Sequence, residues 1–396
     1  MKWESVKLGD IAENIQTGPF GSQLHQSDYS KKGIPVVMPK DLVEGRISEK
    51  SIARVANEHV ERLSRHKIGV ADILYSRRGD VGRCALATEK EIGWLCGTGC
   101  LRVTIDVTQA NPQFVFYYLQ MPEIIGWVEK HAVGATMLNL NTSILSNVPL
   151  EIPPLPTQTR IASILSAYDD LIENNRKQIK LLEEAAQRLY KVWFVDFKFP
   201  GHEHVKIVDG VPEGWEYVAL SDFADVVMGQ SPKSEFYNKG KVGLPFHQGV
   251  GSYGGRYVID DVYSTSFTKI ANPGSILFSV RAPVGRLNIT RNKVVIGRGL
   301  SAINHKCDLQ SFLFYMLKHT FFRDNLLGNG AIYASISKNE LLSQKFLIPS
   351  LDLSRNFNDK AMKIDRKIDC LDIQIQQLTE ARDRLLPKLM SGEIEV

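Results

Sequence analysis

The sequence predicts a mixed α/β chain of the α+β class, in which a globular domain followed by a long helix occurs twice. Two apolar heptad patterns of matched length predict the long helices. Segments of the first half recur in the second half in the same order. Short Val/Ile/Leu-rich runs bounded by Gly, Pro, Asn and Asp predict strands and turns. We therefore expect two duplicated globular domains separated by a long antiparallel two-helix coiled coil with pseudo-twofold symmetry.

The heptad patterns are the strongest local signal. In each, apolar residues recur at alternating steps of four and three, which is the seam of a coiled-coil helix. The first seam contains Ile161, Leu165, Tyr168, Ile172, Asn175, Ile179, Leu182, Ala186, Leu189 and Trp193. The second contains Phe357, Ala361, Ile364, Ile368, Leu371, Ile375, Leu378, Arg382, Leu385 and Leu389. An ordinary core stripe or a dimerisation coil is the alternative interpretation, but it does not account for two seams of equal length.

The repeat extends over the whole chain. The opening WESVKLGDIA at Trp3 recurs as WEYVALSDFA at Trp215, and LYSRRGDVGR (74–83) recurs as LFSVRAPVGR (277–286). Gly97-Thr98-Gly99 recurs as Gly297-Arg298-Gly299. The offset between the copies falls steadily from 212 to 196, as small deletions in one ancestral unit would produce. An internal duplication follows.

These signals divide the chain into five segments. They are a first domain (1–150), a central helix (151–198), a polar linker (199–214), a second domain (215–346) and a C-terminal helix (347–396). Expected strands include Ile34–Met38, Ile73–Ser76, Leu101–Ile105, Ser275–Val280 and Val294–Ile296, and expected helices include Pro112–Met121 and Leu309–Lys318.

Composition indicates a globular, soluble protein. Of 396 residues, 43% are hydrophobic and 23% are charged. The sequence contains neither a signal-peptide pattern nor an apolar run as long as a membrane span, which needs about 18 residues, so we expect no membrane association. Five cysteines, an odd and sparse set, suit a reducing cytoplasm.

Charge is unevenly distributed. The net charge is +4, but residues 215–346 alone hold fifteen basic and nine acidic residues, a net charge of +6. The helical segments are close to neutral or acidic. A basic globular segment fits a polyanionic partner such as DNA.

The motifs argue against catalysis by this chain. Asn111-Pro112-Gln113-Phe114 resembles the motif that positions a flipped adenine in amino-methyltransferases, but a helix start explains it better, with Asn111 and its counterpart Asp308 as N-caps. Neither glycine turn has the spacing of a nucleotide-binding fingerprint. Cys96 and Cys100 have no second pair at zinc spacing, so we expect no metal site.

What remains is binding chemistry in glycine-rich loops and at strand ends. Arginine can grip phosphate or read guanine, while Asn and Gln suit adenine and Ser, Thr and Lys suit phosphate. A single residue of this kind is more often a solvated loop residue, and the arginines that recur in both copies are the better candidates. The candidate DNA-binding residues are Gln16, Thr17, Ser22, Gln23, His25, Arg77, Arg78, Arg83, Asn139, Asn141, Gln230, Ser231, Lys233, Gln248, Arg281, Arg286, Arg298, Tyr333 and Lys338.

The chain resembles the specificity subunits of type I restriction-modification systems along essentially its whole length. The resemblance is carried by the paired openings at Trp3 and Trp215, the two decamers, the Ile-Pro-Pro-Leu-Pro-Thr-Gln segment (152–158) and the Trp193–Phe197 close of the central helix. The second helix departs from the pattern because Ser350–Ser354 lacks the later prolines.

The resemblance implies two target-recognition domains that each read one half of a bipartite site on double-stranded DNA, with the helices setting the spacer. It implies docking of two methyltransferase subunits that carry S-adenosylmethionine, and of restriction subunits that use ATP and Mg²⁺. No cofactor is expected in this chain. A self-sufficient DNA enzyme and a protein-binding scaffold remain the alternatives; the first would need a methyltransferase or nuclease motif, and the second disagrees with the repeated arginines.

Overall fold

The globular part of the first repeat is built on two four-stranded β-sheets. The computed structural model describes residues 3–134, 138–321 and 335–396. The strands are β1 (Glu4–Lys7), β2 (Ala12–Thr17), β3 (Tyr29–Ser30), β4 (Ile34–Val37), β5 (Leu42–Val43), β6 (Arg46–Ile47), β7 (Ala53–Val55), β8 (Ile73–Ser76), β9 (Cys84–Leu86), β10 (Leu95–Cys96), β11 (Cys100–Ile105) and β12 (Pro149–Ile152). The helices are α1 (Asn57–Arg62), α2 (Pro112–Tyr118), α3 (Pro122–His131) and α4 (Thr142–Ser146).

The first sheet is antiparallel, with the order β2-β11-β8-β9. The second has the order β10-β4-β7-β3 and contains one parallel pair, β10 with β4. Strand β1 pairs with β12, so that Glu4 lies opposite Ile152. This pairing joins the beginning of the chain to the segment that leads into the first long helix.

The first long helix, α5 (Leu155–Phe194), contains 40 residues and begins directly after Pro153 and Pro154. Elements β13 to β25 and α6 to α9 follow. The strands are β13 (Ile207–Val208), β14 (Val211–Pro212), β15 (Glu216–Ala219), β16 (Ala224–Met228), β17 (Tyr237–Asn238), β18 (Leu244–His247), β19 (Tyr263–Ser264), β20 (Ile270–Ala271), β21 (Ile276–Ser279), β22 (Leu287–Ile289), β23 (Val294–Ile296), β24 (Leu300–His305) and β25 (Lys345–Ile348). The helices are α6 (Leu220–Phe223), α7 (Gln310–Phe321), α8 (Lys338–Leu342) and α9 (Leu351–Met390).

The second repeat resembles the first in strand arrangement, with β20 as an additional strand in its second sheet. One sheet has the order β16-β24-β21-β22, and the other has the order β17-β19-β18-β23-β20 with a parallel β18–β23 pair. Strand β15 pairs with β25, as β1 pairs with β12. Helix α9 contains 40 residues, as α5 does. The five strands expected from the sequence are all present, each with its ends within one residue of the prediction.

The chain forms two units, and both long helices contribute to each. Unit 1 comprises Met1–Asn174 with Ile375–Val396, and unit 2 comprises Asn175–Gln374. In unit 1, Ile161 and Leu165 of α5 share a buried core with Leu389 and Met390 of α9. The same core contains the aromatic residues of α2. Of the predicted seam residues, Ile161, Leu165, Leu385 and Leu389 therefore pack in the core of this unit.

The core of unit 2 is rich in aromatic rings. Trp193 and Tyr190 of α5 lie 5.8 Å and 5.7 Å from Phe357 of α9, measured between ring centroids. Phe312 of α7 lies 6.1 Å from the same ring. Asn175, the polar residue in the first seam, donates from Nδ2 to Oε1 of Gln374 at 3.4 Å. None of the twenty predicted seam residues is exposed.

Two helix predictions need correction. The helix expected at Pro112–Met121 ends at Tyr118, because Met121 is extended ahead of Pro122, which begins α3. The helix expected at Leu309–Lys318 runs over Gln310–Phe321.

The N-caps of these two helices also differ. Asn111 Oδ1 accepts from the N–H groups of Gln113 and Phe114 at 3.0 Å, as predicted. The prediction that Asp308 caps α7 is wrong, because its backbone is left-handed, with φ of 58°, and the helix begins at Gln310. The N–H groups of Ser311 and Phe312 donate instead to Oδ1 of Asn358 on α9, at 3.1 and 3.2 Å.

The polar segment after α5 is ordered by aromatic packing. It contains the β13–β14 hairpin, and Phe199 within it is buried. The Phe199 ring lies 5.3 Å from that of Trp215, between centroids. Sequence polarity alone did not indicate this contact.

Candidate nucleic-acid interface

In unit 1, four loops meet at one end of the β2-β11-β8-β9 sheet, joined by backbone hydrogen bonds. Gly18 N–H donates to the Cys100 carbonyl at 2.9 Å, and Arg77 N–H donates to the Gly99 carbonyl at 2.8 Å. The Leu140 N–H donates to the Arg77 carbonyl at 2.8 Å. We call these loops (18–25, 77–83, 97–99 and 138–141) the glycine edge of unit 1.

Glycine is required where these loops cross. A Cβ atom on Gly18 would overlap the carbonyl oxygen of Gly97, and one on Gly97 would lie 2.6 Å from the carbonyl oxygen of Val37. Such close approach of two backbones is a main reason for glycine in a fold. The repeated Gly-x-Gly turn therefore has a structural role. It lets the loops cross closely, which brings their polar side chains near one another.

Unit 2 contains an equivalent edge. Gly229 N–H donates to the Leu300 carbonyl at 2.9 Å, Val280 N–H to the Gly299 carbonyl at 2.9 Å, and Ile336 N–H to the Val280 carbonyl at 2.9 Å. We call the loops 229–233, 248–249, 280–286, 297–299 and 335–338 the glycine edge of unit 2. In both units, segments that are far apart in sequence meet in the same way.

The candidate residues within the described ranges lie on or beside these two edges. Exposed side chains are Ser22, His25, Arg78, Arg83, Asn141, Gln230, Lys233, Gln248, Arg281, Arg298 and Lys338. Half-buried side chains are Gln16, Thr17, Gln23, Arg77, Asn139, Ser231 and Arg286. Tyr333 lies outside the described residues.

Several candidates in unit 1 have partners within the protein. Arg83 Nε donates to Asp80 Oδ2 at 3.0 Å. Gln16 Nε2 donates to the Arg65 carbonyl at 3.2 Å. Asn141 Oδ1 accepts from the Ile144 N–H at 2.8 Å and so caps α4. These three side chains are engaged in holding the fold, which makes them weaker candidates for reading DNA.

Arg77 and Arg78 form the main cationic feature of the unit 1 edge. Arg78 is exposed, while Arg77 is half-buried. Burial, and then the charge of Arg78, lower the pKa of Arg77. The buried Nε of Arg77 has no acceptor among the described residues. Because Arg77 Nε is buried, the exposed guanidinium of Arg78 is the group that can meet an anionic ligand such as phosphate.

The unit 2 edge contains more exposed polar groups. Ser231 links two of its loops, since its hydroxyl donates to Gln248 Oε1 at 2.8 Å and accepts from the Arg298 N–H at 3.2 Å. Arg281 and Arg298 are both exposed. Lys233 lies 3.9 Å from Glu235, in an exposed ion pair of little energetic weight. The edge therefore presents amide, hydroxyl and guanidinium groups together.

Two exposed aromatic residues on or beside these edges are absent from the candidates predicted from the sequence. Phe20 is 54% exposed in unit 1, and Phe267 is 52% exposed in unit 2. They do not occupy equivalent positions in the two repeats, so comparing the copies could not reveal them. The only available signal was an aromatic residue within a Gly/Pro-rich or Ser/Thr-rich loop, which is a weak one.

Other parts of the described chain do not suggest chemistry. A cavity of about 440 Å³ in unit 2 is lined by Arg256, Arg291, Asp365 and Asp369, whose charges pair with one another. Among the described residues, no cluster of His, Cys, Asp or Glu could hold a metal ion. No helix in the described ranges is long and apolar enough to cross a membrane.

Comparison with known proteins identifies the family. The model of the type I restriction modification DNA specificity domain matches residues 1–184 and 212–379. A Methanocaldococcus jannaschii protein assigned as the MjaX type I restriction enzyme specificity subunit is 30% identical, over 100% of this chain and 94% of the relative. The HindI specificity subunit of Haemophilus influenzae is 24% identical, over 99% of both proteins.

A solved structure supports the fold. The type I restriction-modification S subunit from M. genitalium matches with a TM-score of 0.60 and 18% identity, over 98% of this chain and 96% of that one. The family match also confirms the resemblance inferred from the sequence. The chain belongs to the type I restriction-modification DNA specificity family.

Proposed function

We propose that this chain is the DNA-reading, non-catalytic subunit of a cytoplasmic type I restriction-modification complex. Each globular domain reads one half of a bipartite site on double-stranded DNA through its glycine edge. The observation that carries this proposal is the occurrence of the same backbone crossing in both units, each with an exposed arginine, Arg78 or Arg281, at the matching position. Exposed guanidinium groups on a fixed backbone can contact bases or phosphates.

The two long helices set the number of unread base pairs between the half-sites. They pair as an antiparallel coiled coil about a pseudo-twofold axis. This is supported within unit 1 by the ion pair of Asp169 with Arg382, and within unit 2 by the packing of Trp193 on Phe357. Each helix of 40 residues spans about 60 Å at about 1.5 Å per residue, which approaches two turns of B-DNA.

Two methyltransferase subunits dock on the long helices. Leucine side chains that face away from the seam support this, since Leu171 is 51% exposed and Leu181 is 65% exposed. The methyltransferase subunits bring S-adenosylmethionine and methylate adenines on the two strands. Restriction subunits, which use ATP and Mg²⁺, join them to cut DNA that lacks the methyl groups.

The proposal is tested by comparing the isolated chain with the assembled complex. The chain alone, given S-adenosylmethionine and DNA, should not transfer methyl groups. The chain with its methyltransferase partner should methylate adenines in one bipartite motif, detected by sequencing the methylated DNA. Methyl transfer by the isolated chain would favour a self-sufficient enzyme. Assembly without any sequence preference would favour a scaffold.

A further inference from the structure

One exposed phenylalanine, Phe20, lies within the glycine edge of unit 1, and another, Phe267, lies in a loop that is hydrogen-bonded to the glycine edge of unit 2 through Thr268. Single exposed apolar residues are common on proteins, so exposure alone indicates nothing. Phe20 and Phe267 differ from such residues in two respects. Their turns are tied to the edge by specific bonds, and their neighbours are candidate DNA-binding residues.

The turn at Phe20 is held on both sides. The Phe20 N–H donates to Gln23 Oε1 at 3.1 Å, and the Phe20 carbonyl accepts from the Gln23 N–H at 2.8 Å. The Gln23 carbonyl in turn accepts from Arg62 Nη2 at 2.8 Å. Gln23 was a candidate for contacting DNA, but its amide oxygen is occupied in this turn. The polar groups of the loop thus hold an apolar ring at the surface.

A guanidinium group lies beside the Phe20 ring. Arg77 Cζ is 5.9 Å from the ring centroid, at the outer limit of a cation–π contact. The buried Arg77 Nε has no acceptor among the described residues, and Arg78 follows in the exposed loop. Proteins that bind single-stranded nucleic acid stack bases on aromatic rings beside basic groups, and in duplex DNA apolar side chains contact the thymine methyl group or wedge between base steps.

Phe267 is held in a comparable way in unit 2. Ser264 Oγ accepts from the Ser266 N–H at 3.1 Å and donates to the Ser266 carbonyl at 2.9 Å. Thr268 Oγ1 donates to the carbonyl of Gln230, a residue of the glycine edge. The two phenylalanines lie in different loops, so the exposed ring occupies a different position in each repeat.

We propose that Phe20 and Phe267 are specificity-determining residues that make apolar contacts with bases, one in each half-site. The ligand surface is either the C5-methyl group of thymine or the face of a base at a step that the ring partly unstacks, and both depend on sequence because base steps differ in flexibility. This inference rests on the proposed function and deepens it, because it assigns one apolar contact to each recognition edge. A fixed backbone suits the role, since little conformational entropy is lost when the ring is covered.

The test uses the complete methyltransferase complex and duplexes that contain its methylated motif. Phe20→Ala should weaken binding by about tenfold or more and relax base preference in one half of the motif only. Phe267→Ala should do the same in the other half. Val107→Ala is the matched control, because Val107 is 66% exposed in unit 1 but follows the opposite end of β11. It should bind like the unaltered complex.

A second variant and a base substitution complete the experiment. Phe20→Leu retains an apolar side chain, so its complex should lose less affinity for DNA than the Phe20→Ala complex. If Phe20→Ala does not assemble with its partners, the same measurements are made on Phe20→Leu. Duplexes with uracil in place of thymine lack the C5-methyl group. If this replacement lowers the affinity of the unaltered complex but not that of the Phe20→Ala complex, Phe20 contacts a thymine methyl group. Unchanged affinity for uracil duplexes, with the alanine effect present, identifies contact with the face of a base.

The inference is overturned if both alanine variants bind and methylate like Val107→Ala. It is also overturned if they weaken binding to all sequences equally, since that is the behaviour of a phosphate contact. Both results leave the proposed function intact, because the unaltered complex would still methylate a bipartite motif. Absence of any such motif from the unaltered complex would instead contradict the proposed function.

Discussion

Tyr117 of α2 donates its hydroxyl proton to Asp169 of α5, with 2.5 Å between Oη and Oδ2. The equivalent pair in unit 2 is Tyr315 and Asp365, at 2.7 Å. Each unit therefore joins its globular part to a long helix through one tyrosine–aspartate hydrogen bond. Burial, followed by the charge of Asp169, raises the pKa of Tyr117, which keeps its hydroxyl a donor.

Removing this donor should destabilise unit 1 moderately. In Tyr117→Phe, Asp169 keeps its ion pair with Arg382, whose Nη1 lies 2.5 Å from Oδ1, so only one hydrogen bond to a charged group is lost. The expected loss of unfolding free energy is about 1.5–3 kcal/mol. Chemical denaturation measures it, with Tyr217→Phe, which is 62% exposed, as the control. An unchanged midpoint for Tyr117→Phe would show that this bond contributes nothing to stability.

Arg256 in unit 2 should contribute more to the free energy of unfolding than Tyr117 does in unit 1. Its side chain is 3% exposed, and it lies 2.5 Å from Asp365 and 3.4 Å from Glu183. Burial alone would lower the pKa of Arg256, but Tyr315 and Asp365 outweigh burial and raise it. Arg256→Ala removes a buried cation from two partly buried carboxylates, of which Glu183 keeps Lys318 at 3.9 Å, and should cost about 3 kcal/mol of unfolding free energy.

The matched control for this prediction is Arg291→Ala. Arg291 also pairs with two aspartates, Asp369 and Asp372, but its side chain is 27% exposed, so water can replace the lost contacts. We expect it to cost less than half as much as Arg256→Ala. Equal effects of the two substitutions, measured by denaturation, would contradict the assignment of Arg256 as a buried link to α9.

The sequence predicted the repeated parts of the fold and missed what the copies do not share. Heptad spacing and strand patterns report burial, and they identified both long helices and the five expected strands. Partner choice depends on tertiary contacts, which one-dimensional patterns do not contain. Asp169 therefore pairs with Arg382 of α9 while Asp365 pairs with Arg256 of the globular part. The exposed Phe20 was missed because the second repeat has no equivalent phenylalanine with which to compare it.

Acidic pH should weaken the fold through two buried histidines. Burial, followed by the charge of Arg65, lowers the pKa of His66, and burial lowers the pKa of His305. Protonation is then easier in the unfolded chain, whose histidines titrate near pH ~6.5. Stability should be fully present above that pH and should decline as the pH falls below it towards the lowered folded-state values.

Melting temperatures at pH 7.5, 6.5 and 5.5 measure this decline. The double variant His66→Gln with His305→Gln should be less stable at pH 7.5 but should show a flatter dependence between pH 6.5 and 5.5. The same slope in both proteins would assign the pH dependence to other groups.

Arg78 and Arg281 should act in different half-sites. They are equivalent in the repeat, and both are exposed beside the backbone bridges to Asn139 and Ser335. Loss of a base contact on Arg→Ala substitution should cost about 1–3 kcal/mol of binding free energy and relax one half of the motif. Loss of a phosphate contact should weaken all sequences and reduce the salt dependence. If neither variant changes affinity, motif or salt dependence, both arginines are structural.

The central claim is that the paired helices set the distance between half-sites, and lengthening both helices tests it most directly. Asn175 and Gln374 are hydrogen-bonded, so seven residues inserted after Asn175 and seven inserted before Gln374 face one another and preserve both seams. Each insertion adds about 10 Å of helix, close to the rise of three base pairs. The extra base pairs also rotate one half-site by roughly a quarter turn, so activity should fall.

The measurement is the motif methylated by the lengthened complex, read by sequencing. We predict that both half-sequences are retained and that about three unread base pairs are added between them. Insertion into one helix alone is the control and should abolish methylation, because the two seams no longer match. Methylation by the doubly lengthened complex at the original spacing would contradict the claim that the helices set the spacer.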